Sequence, residues 1–308
     1  MSIPHSLFHV RRLIVLLVLL MMIIGQKPSH AQDNAPAPHD PHTPVTNTGS
    51  LPPKFALAPD AVISPSTGSE LPSTDEPQEE VSINSIIGPD SRKRILNTLP
   101  YPYGTIVHLY VSYPLAEGEC SGVLISPDTV LTAGHCVFTK EHGGWADFII
   151  ASPGRNGSNT FPHPPCPDKQ LFSTTGWIHD LNPSYDYGVI KLTCSYTATG
   201  WMGVRAAPDA GLRGQTTILT GYPSDKPLGT MWNSQDSVRN YSSSQVFYQN
   251  DATQGQSGSP VWNRNDITCN PCVFAIHTDG VSPGTGGNNG GVRIDAEIME
   301  NLWSWIAP

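Results

Sequence analysis

The stretch CSGVLISPDTVLTAGHC, residues 120–136, is the segment that says most about the fold. An apolar run at residues 121–125 is followed by Ser, Pro and Asp, and a second apolar run leads into TAGHC at residues 132–136. Short apolar runs bounded by such turn-forming residues are typical of β-strands. His135 therefore lies just beyond the end of a predicted strand.

The same pattern recurs through the C-terminal two thirds of the chain. Further runs bounded by Gly, Pro, Asn, Asp or Ser occupy residues 106–111, 188–192, 216–220 and 273–277. One helix is predicted, over residues 295–306, because Ile298, Leu302 and Trp305 recur at helical spacing. Many short strands and one terminal helix indicate an all-β fold, a barrel or a sandwich.

Two other motifs carry reactive side chains. Asp186 opens the predicted strand at residues 188–192, and Ser257 lies in GQSGSP at residues 255–260. A serine hydroxyl is a weak nucleophile unless an imidazole takes its proton, and a carboxylate must hold that imidazole in the right tautomer. Glycines beside the serine let backbone N–H groups converge on the developing oxyanion. His135, Asp186 and Ser257 supply these groups, in that chain order.

A GxSxG motif is also found in α/β-hydrolases. That fold predicts the order Ser, Asp, His on alternating strands and helices. Here the order is reversed and the chain is rich in strands. The hydrolase interpretation is therefore disfavoured.

With these motifs, the chain resembles the chymotrypsin-fold serine proteases, and most closely the secreted glutamyl endopeptidases of the Bacillus and staphylococcal V8 type. The similar strings extend from about residue 85 to the C-terminal helix. They are TAGHC and GQSGSP above, SIIG (85–88), NT (97–98) with YPY (101–103), SPGRNG (152–157), DYG (186–188), GYPSDK (221–226) and HTDG (277–280).

The resemblance implies a chymotrypsin-like double β-barrel with the active site between the barrels. In it His135 is the general base, Asp186 orients His135, and Ser257 is the nucleophile. The N–H groups of Gly255 and Ser257 form the oxyanion hole. No cofactor and no metal are expected.

All six cysteines lie beyond residue 31, and an even number in a secreted chain, as the resemblance implies, indicates disulfides. Cys269 and Cys272 form a CxxC that also suits a redox pair or half a zinc site, but the sequence has no second CxxC or nearby histidine pair. The resemblance implies one disulfide beside the catalytic histidine and one short local disulfide, and the two remaining cysteines are left as a third pair. The three expected pairs are Cys120–Cys136, Cys269–Cys272 and Cys166–Cys194.

Substrate preference depends on residues around Ser257. Trypsins carry an Asp before the nucleophile to receive the freed N-terminus, whereas this chain has Gln256. In glutamyl endopeptidases the freed α-amino group lies near the acidic side chain of the substrate, and alignment places that terminus at Ser85. His277 matches the histidine that contacts the substrate carboxylate, and Ala252 and Thr253 are further expected substrate-binding residues.

Three positions complicate this preference. Ala252 stands where relatives carry a threonine, and Asp279 adds negative charge near the expected pocket. Asp251, six residues before Ser257, occupies the place of the acid with which trypsins bind Lys or Arg. Cleavage after Glu or Asp is the preferred interpretation, with a Lys/Arg preference or a catalytically silent binding module as alternatives.

Charge and composition divide the chain into three parts. Residues 1–31 have two arginines before a short apolar run and end in Ser-His-Ala, the layout of a cleaved signal peptide, with an uncleaved anchor as the alternative. Residues 32–84 contain ten prolines and carry a charge of −7 (one cation, eight acids), which predicts disorder; we interpret them as a propeptide rather than a surface linker. Residues 85–308 form the protease domain.

The predicted protein is a secreted, monomeric serine endopeptidase acting on polypeptides. It has no membrane attachment once the signal peptide is removed. A formal charge of −9 argues against nucleic-acid binding. Arg92-Lys93-Arg94 is an alternative processing site, which would give a mature protein starting at Ile95.

Overall fold

A computed structural model of the chain describes residues 39–47 and 85–306. Two large β-sheets and a β-hairpin (β6 and β7) contain nearly all the regular structure. The strands are β1 (Pro44–Thr46), β2 (Lys93–Arg94), β3 (Ile106–Ser112), β4 (Glu117–Ser126), β5 (Thr129–Thr132), β6 (Phe138–Thr139), β7 (Gly144–Trp145), β8 (Phe148–Pro153), β9 (Cys166–Thr174), β10 (Gly188–Leu192), β11 (Gly203–Val204), β12 (Thr216–Gly221), β13 (Trp232–Ser237), β14 (Asn240–Tyr241), β15 (Gln245–Tyr248), β16 (Pro260–Asn263), β17 (Cys272–Asp279) and β18 (Asn289–Arg293). The helices are α1 (Thr175–Ile178) and α2 (Ala296–Ile306), with 3-10 turns at Tyr103–Thr105, Gly134–Cys136, Lys140–His142, Pro183–Tyr185 and Pro283–Thr285.

The first sheet closes into a barrel. Its strand order is β1-β9-β10-β5-β4-β3-β8, and β8 also pairs with β9, so six strands form a closed ring with β1 outside it. Fully buried aliphatic side chains on one face of this sheet, including Leu109, Leu171 and Ile190, form its core. Closure removes the free edges that an open sheet would expose, except where β9 extends beyond β8.

The second sheet has the order β14-β15-β18-β17-β16-β12-β13-β2, and β11 adds to β17 in parallel. Its end strands, β14 and β2, do not pair with each other within the described residues, so it is a half-closed barrel. Trp262 and Phe274 are fully buried on this sheet. The predicted all-β, double-barrel fold class is confirmed, with the second barrel incompletely closed.

The predicted C-terminal helix is present as α2. Asp295 caps it by accepting a 2.8 Å hydrogen bond from the N–H of Ile298. Ile298, Leu302 and Trp305 are buried, as their spacing predicts. In α2 the hydrophobic face therefore packs against the barrels.

Part of the segment expected to be disordered is placed in the structure. Residues 39–47 include β1, which pairs antiparallel with β9. The prediction of disorder does not describe this stretch, because the exposed edge of β9 supplies backbone partners that composition alone does not reveal. The rest of residues 32–84 and the predicted signal peptide lie outside the described residues.

All six cysteines are paired. The structure joins Cys120 to Cys136, Cys166 to Cys194, and Cys269 to Cys272. Among the described residues, no helix has the length and hydropathy needed to cross a bilayer.

Candidate active site

His135 and Asp186 are in direct contact. The Nδ1 atom of His135 lies 2.7 Å from Oδ2 of Asp186, and the backbone N–H of His135 donates to Oδ1 at 2.8 Å. The Asp186 side chain is 5% exposed, whereas that of His135 is 29% exposed. A buried carboxylate thus fixes both the ring and the backbone of a histidine whose other nitrogen is open to a cleft.

Two short turns bring these residues together. His135 lies in the 3-10 turn that follows β5, and Asp186 directly follows the 3-10 turn Pro183–Tyr185 and precedes β10. β5 and β10 pair antiparallel, so both side chains emerge at the same end of the first barrel. Gly134 is required there, because a Cβ would lie 2.8 Å from the Trp177 ring and 3.0 Å from Oδ1 of Asp186.

The environment of His135 favours its protonated form. Burial lowers the pKa of His135, but the charge and hydrogen bond of Asp186 outweigh burial and the pKa is raised overall. An imidazole stabilised as a cation is suited to accept a proton from a neighbouring hydroxyl.

Ser257 lies in a tight loop built on glycine. Gly255 has a φ of +83°, and a Cβ there would lie 2.5 Å from the carbonyl oxygen of Tyr222. Ser121 holds the loop from the first barrel: its N–H donates to the carbonyl oxygen of Ser257 at 2.8 Å, and its hydroxyl donates to that of Gly255 at 2.8 Å. Within the described part of the chain, the N–H groups of Gly255 and Ser257 have no hydrogen-bond acceptor.

His135, Gly255 and Ser257 line one cleft of about 550 Å³ between the two sheets. Ser257 also lines a smaller cavity of about 50 Å³ within the second sheet. The structure thus brings together the three predicted triad residues and both predicted oxyanion donors. A substrate in the cleft can place one side chain in the small cavity.

The small cavity is lined by all four residues that were predicted to bind substrate. Its lining consists of Ser85, Ala252, Thr253, Gln254, Ser257, His277, Thr278 and Gly280. None of these side chains is acidic, and the imidazole of His277 is the basic group among them. The pocket therefore lacks the carboxylate that would bind Lys or Arg.

His277 is held by a buried tyrosine. Its Nδ1 atom lies 2.9 Å from the hydroxyl of Tyr248, which donates to the carbonyl oxygen of Gly290 at 3.0 Å. Burial lowers the pKa of His277 to about 4, and the nearby His135 adds to the decrease, against a backbone hydrogen bond that raises the pKa. With Nδ1 engaged by the tyrosine, Nε2 is the nitrogen left for a ligand.

Asp279 is close to the pocket but does not line it. Its Oδ2 atom accepts hydrogen bonds from Nε2 of Gln245 at 3.2 Å and from the hydroxyl of Thr278 at 3.1 Å. Burial raises the pKa of Asp279, and the Asp186 carboxylate raises it further. The hydrogen bond from Thr278 and the charge of His135 act in the opposite direction without reversing this shift of the pKa of Asp279.

Asp251 points away from the pocket and is 1% exposed. One carboxylate oxygen accepts from the N–H of Ile87 at 2.8 Å. The other accepts from the N–H and the hydroxyl of Ser91, at 2.7 and 2.6 Å. All three donors belong to the segment that follows Ser85, so Asp251 anchors that segment to the second sheet.

Ser85 is buried beside the pocket. Its carbonyl oxygen accepts from Nδ2 of Asn289 at 2.8 Å, and its hydroxyl accepts from the N–H of Val281 at 2.9 Å. It also forms an isolated β-bridge with Ala252. The position expected for the mature N-terminus is therefore built into the pocket wall.

One group of contacts beside the pocket is not apparent from the sequence. The guanidinium of Arg92, with a side chain 1% exposed, donates to Asp90, to Asp225 and, at 2.9 Å, to the hydroxyl of Thr253. The sequence showed Arg92 only as part of a basic tripeptide and Asp225 only as part of GYPSDK. Only the folded structure shows that Arg92 and Asp225 are in contact with each other and with Thr253 of the pocket.

The chain is similar in sequence to known proteins. It matches the trypsin-like peptidase domain family over residues 120–266. It is 39% identical over 228 residues to a glutamyl endopeptidase of Bacillus licheniformis, covering 73% of this chain and 70% of that protein. It is 37% identical over 286 residues to a Bacillus subtilis protein named extracellular metalloprotease, covering 88% and 89% of the two.

A solved structure of a Glu endopeptidase is similar to this fold. It matches with a TM-score of 0.64 and 27% sequence identity, over 72% of this chain and all of the other.

The name of the Bacillus subtilis relative raises the question of a metal. Among the described residues, the one group of His, Cys or acidic side chains close enough to share an ion is Cys120, His135 and Cys136. Both cysteines are joined in a disulfide and offer no thiolate, and Nδ1 of His135 faces Asp186. These donors do not fit a catalytic metal.

Proposed function

Because the chain belongs to the trypsin-like serine peptidases of the glutamyl endopeptidase type, we propose that it is a secreted enzyme that cleaves polypeptides after Glu or Asp. The observation that carries the preference is the pocket beside Ser257, which is lined by His277 and Ser85 while Asp251 is engaged elsewhere.

The chemistry follows from the positions of the groups. The hydroxyl of Ser257 attacks the carbonyl carbon of the scissile bond, and His135 takes the hydroxyl proton and passes it to the leaving amine. Asp186 keeps the imidazole in the tautomer with its proton on Nδ1. The N–H groups of Gly255 and Ser257 stabilise the oxyanion. Water, activated by His135, then hydrolyses the acyl-enzyme.

Selectivity for an acidic side chain arises from two positive groups. In the empty pocket, burial keeps His277 neutral. When an acidic side chain binds, Nε2 of His277 takes up a proton and donates a hydrogen bond to the substrate carboxylate. The attraction between the two charges compensates for the cost of burying the imidazolium. Cleavage before Ser85 frees an α-amino group, the second positive group, at the pocket wall. Residues 32–84 are thus a propeptide whose removal completes the pocket.

The Lys/Arg alternative requires an acid at the base of this pocket. Asp251, the residue in the trypsin-like position, accepts hydrogen bonds from three donors and is absent from the lining. Asp279 is engaged by Gln245 and Thr278. These contacts favour the glutamyl preference over the tryptic one.

A peptide panel tests the proposal. Purified processed enzyme is assayed on matched substrates with P1 Glu, Asp, Gln, Lys and Leu, and Glu is expected to have the highest kcat/KM. His277→Ala should abolish the preference for Glu over Gln, while the exposed His179→Ala serves as the matched control. A highest rate with Lys would overturn the pocket assignment.

Two further measurements address the alternatives. N-terminal sequencing of the processed protein should show Ser85, and a start at Ile95 contradicts the propeptide boundary. A fluorophosphonate probe should label the wild type and not Ser257→Ala. A folded wild type that is not labelled and cleaves no substrate would be a binding module.

A further inference from the structure

Residues 39–47 form an additional strand on the first barrel. β1 pairs antiparallel with β9 so that Pro44, Val45 and Thr46 lie opposite Thr174, Ser173 and Phe172. β8 pairs with β9 only at residues 166–167, and β10 covers its other edge. The edge of β9 at residues 171–174 would be open without β1.

Backbone contacts extend beyond the strand at both ends. The N–H of Asn47 donates to the carbonyl oxygen of Leu171 at 3.2 Å, and its side-chain oxygen accepts from the Leu171 N–H at 2.8 Å. At the other end, the N–H of Thr175 donates to Thr43 at 3.0 Å, and that of Gly176 donates to Pro41 at 2.9 Å. Seven consecutive residues therefore follow one continuous edge.

Side chains of the segment reach two further elements. The imidazole of His42 lies 2.7 Å from the carboxylate of Glu297 on α2 and packs edge-on against Tyr185, with ring centroids 4.8 Å apart. Asn301, also on α2, donates to the carbonyl oxygen of His42 at 2.8 Å. His39 meets Asp180 at 3.0 Å. The segment thus bridges β9, the turn before Asp186 and the C-terminal helix.

The bridged elements support the catalytic acid. β9 leads into α1 and the 3-10 turn Pro183–Tyr185, which Asp186 follows directly. Gly176 in α1 is enclosed between Tyr185 and Pro41, since a Cβ there would lie 2.6 and 3.0 Å from them. The segment therefore packs against the turns that lead to Asp186.

We propose that the edge of β9 is a docking site for residues 39–47, and that this segment stays bound there as a separate strand after the chain is cut before Ser85. It acts as a non-covalent clamp on the turns that carry Asp186. This inference rests on the processing proposed above. Strand addition to an exposed edge is a recurrent mode of peptide recognition.

The connecting chain permits docking before and after cleavage. Residues 48–84, 37 in number, span about 120 Å when extended, far more than the width of a domain of this size. Before cleavage the segment and the edge of β9 belong to one covalent chain, which favours docking over that of a separate peptide. After cleavage, only the contacts described above retain it, so its affinity becomes measurable.

The test uses residues 32–308 carrying Ser257→Ala, an N-terminal affinity tag, and a recognition site for an unrelated sequence-specific protease within residues 48–84. After complete cleavage and dilution to about 10 μM, the C-terminal part is captured through the tag and the complex is sized. Retention in a one-to-one complex is expected. Release of the C-terminal part, or a complex containing two C-terminal parts, would overturn the proposal.

Two variants separate strand docking from other association. Val45 packs on the core cluster, so Val45→Asp should reduce retention about tenfold or more. Thr43, exposed, provides the matched control Thr43→Asp, which should retain the fragment. Equal retention of the two variants refutes docking through β1.

Hydrogen exchange reports the same contact without capture. The N–H groups of Leu171, Thr175 and Gly176 should lose protection in Val45→Asp and keep it in Thr43→Asp. If Val45→Asp does not fold, the cleaved protein without this substitution is diluted below the dissociation constant of the segment, and the same three N–H groups should lose protection. Unchanged protection after the segment has been released overturns the proposal. Because Ser257→Ala has no activity, neither result depends on the P1 preference, which the peptide panel decides separately.

Discussion

Asp251→Asn distinguishes an anchoring carboxylate from a substrate-binding one. Oδ1 accepts one hydrogen bond from Ile87, and Oδ2 accepts two from Ser91, at a site that is 1% exposed. An asparagine oxygen can keep the bond from Ile87, and its amide can donate to the Ser91 hydroxyl. The Ser91 N–H then faces an NH₂ group and has no acceptor.

The cost follows from these contacts. A buried N–H without an acceptor costs about 1–3 kcal/mol, and replacing a charged acceptor by a neutral one weakens the remaining bond by about 1 kcal/mol. We expect a loss of about 3 kcal/mol in the free energy of unfolding. For a domain of roughly this size, that corresponds to a decrease in Tm of about 6–12 °C.

The assay is thermal and urea unfolding in the Ser257→Ala background, which prevents autolysis. Asp209→Asn is the matched control, because that carboxylate is 74% exposed in its pair with Arg293 and should change stability by less than about 1 kcal/mol. In the active enzyme, Asp251→Asn should not specifically reduce cleavage after Lys. An unchanged Tm together with loss of Lys cleavage would refute the anchoring role.

Three further predictions concern the catalytic groups. Asp186→Asn should lower kcat about 10³–10⁴-fold with unchanged circular dichroism, since the histidine loses its tautomer control; a loss below about tenfold contradicts the assignment. Asp186 raises the pKa of His135 against the effect of burial, and only the neutral imidazole accepts the serine proton. The acid limb of the kcat/KM profile should therefore lie above pH 6.5. In Asp186→Asn this limb should move to lower pH. A pH profile in which the limb stays in place would be inconsistent with this coupling. Since the pKa of His277 is about 4 in the empty pocket, the ratio of kcat/KM for P1-Glu over P1-Gln should rise as the pH falls from 8 to 5.5, and a flat ratio argues against a proton on His277.

The proposed N-terminal processing would be coupled to the pocket through contacts of Asp251 and Arg92. Asp251 holds Ile87 and Ser91, and Arg92 joins the same segment to Asp225 and to Thr253 of the pocket. The segment after Ser85 is therefore tied to the pocket from two directions. We expect these contacts to position the freed terminus.

Local features of this protein were readable from the sequence. The strands around residues 121–125 and 188–192 and the helix ending at residue 306 follow from side-chain periodicity, which is set by local backbone geometry. The three reactive residue types were recognisable because each lies in a short motif beside a predicted strand. Secondary structure and the candidate triad thus depended on neighbours close in the chain.

The role of each carboxylate was decided only by the tertiary structure. Asp186, Asp251 and Asp279 all lie in the candidate regions, yet the first meets His135, the second meets residues about 160 positions earlier, and the third meets Gln245. The same holds for β1. Its composition predicts disorder, but the structure places it as a strand paired with the edge of β9. The physical reason is that the free energy of a buried charge or an unpaired backbone group depends on its hydrogen-bond partners in space. In this protein those partners are far apart in the sequence and meet only when the chain folds.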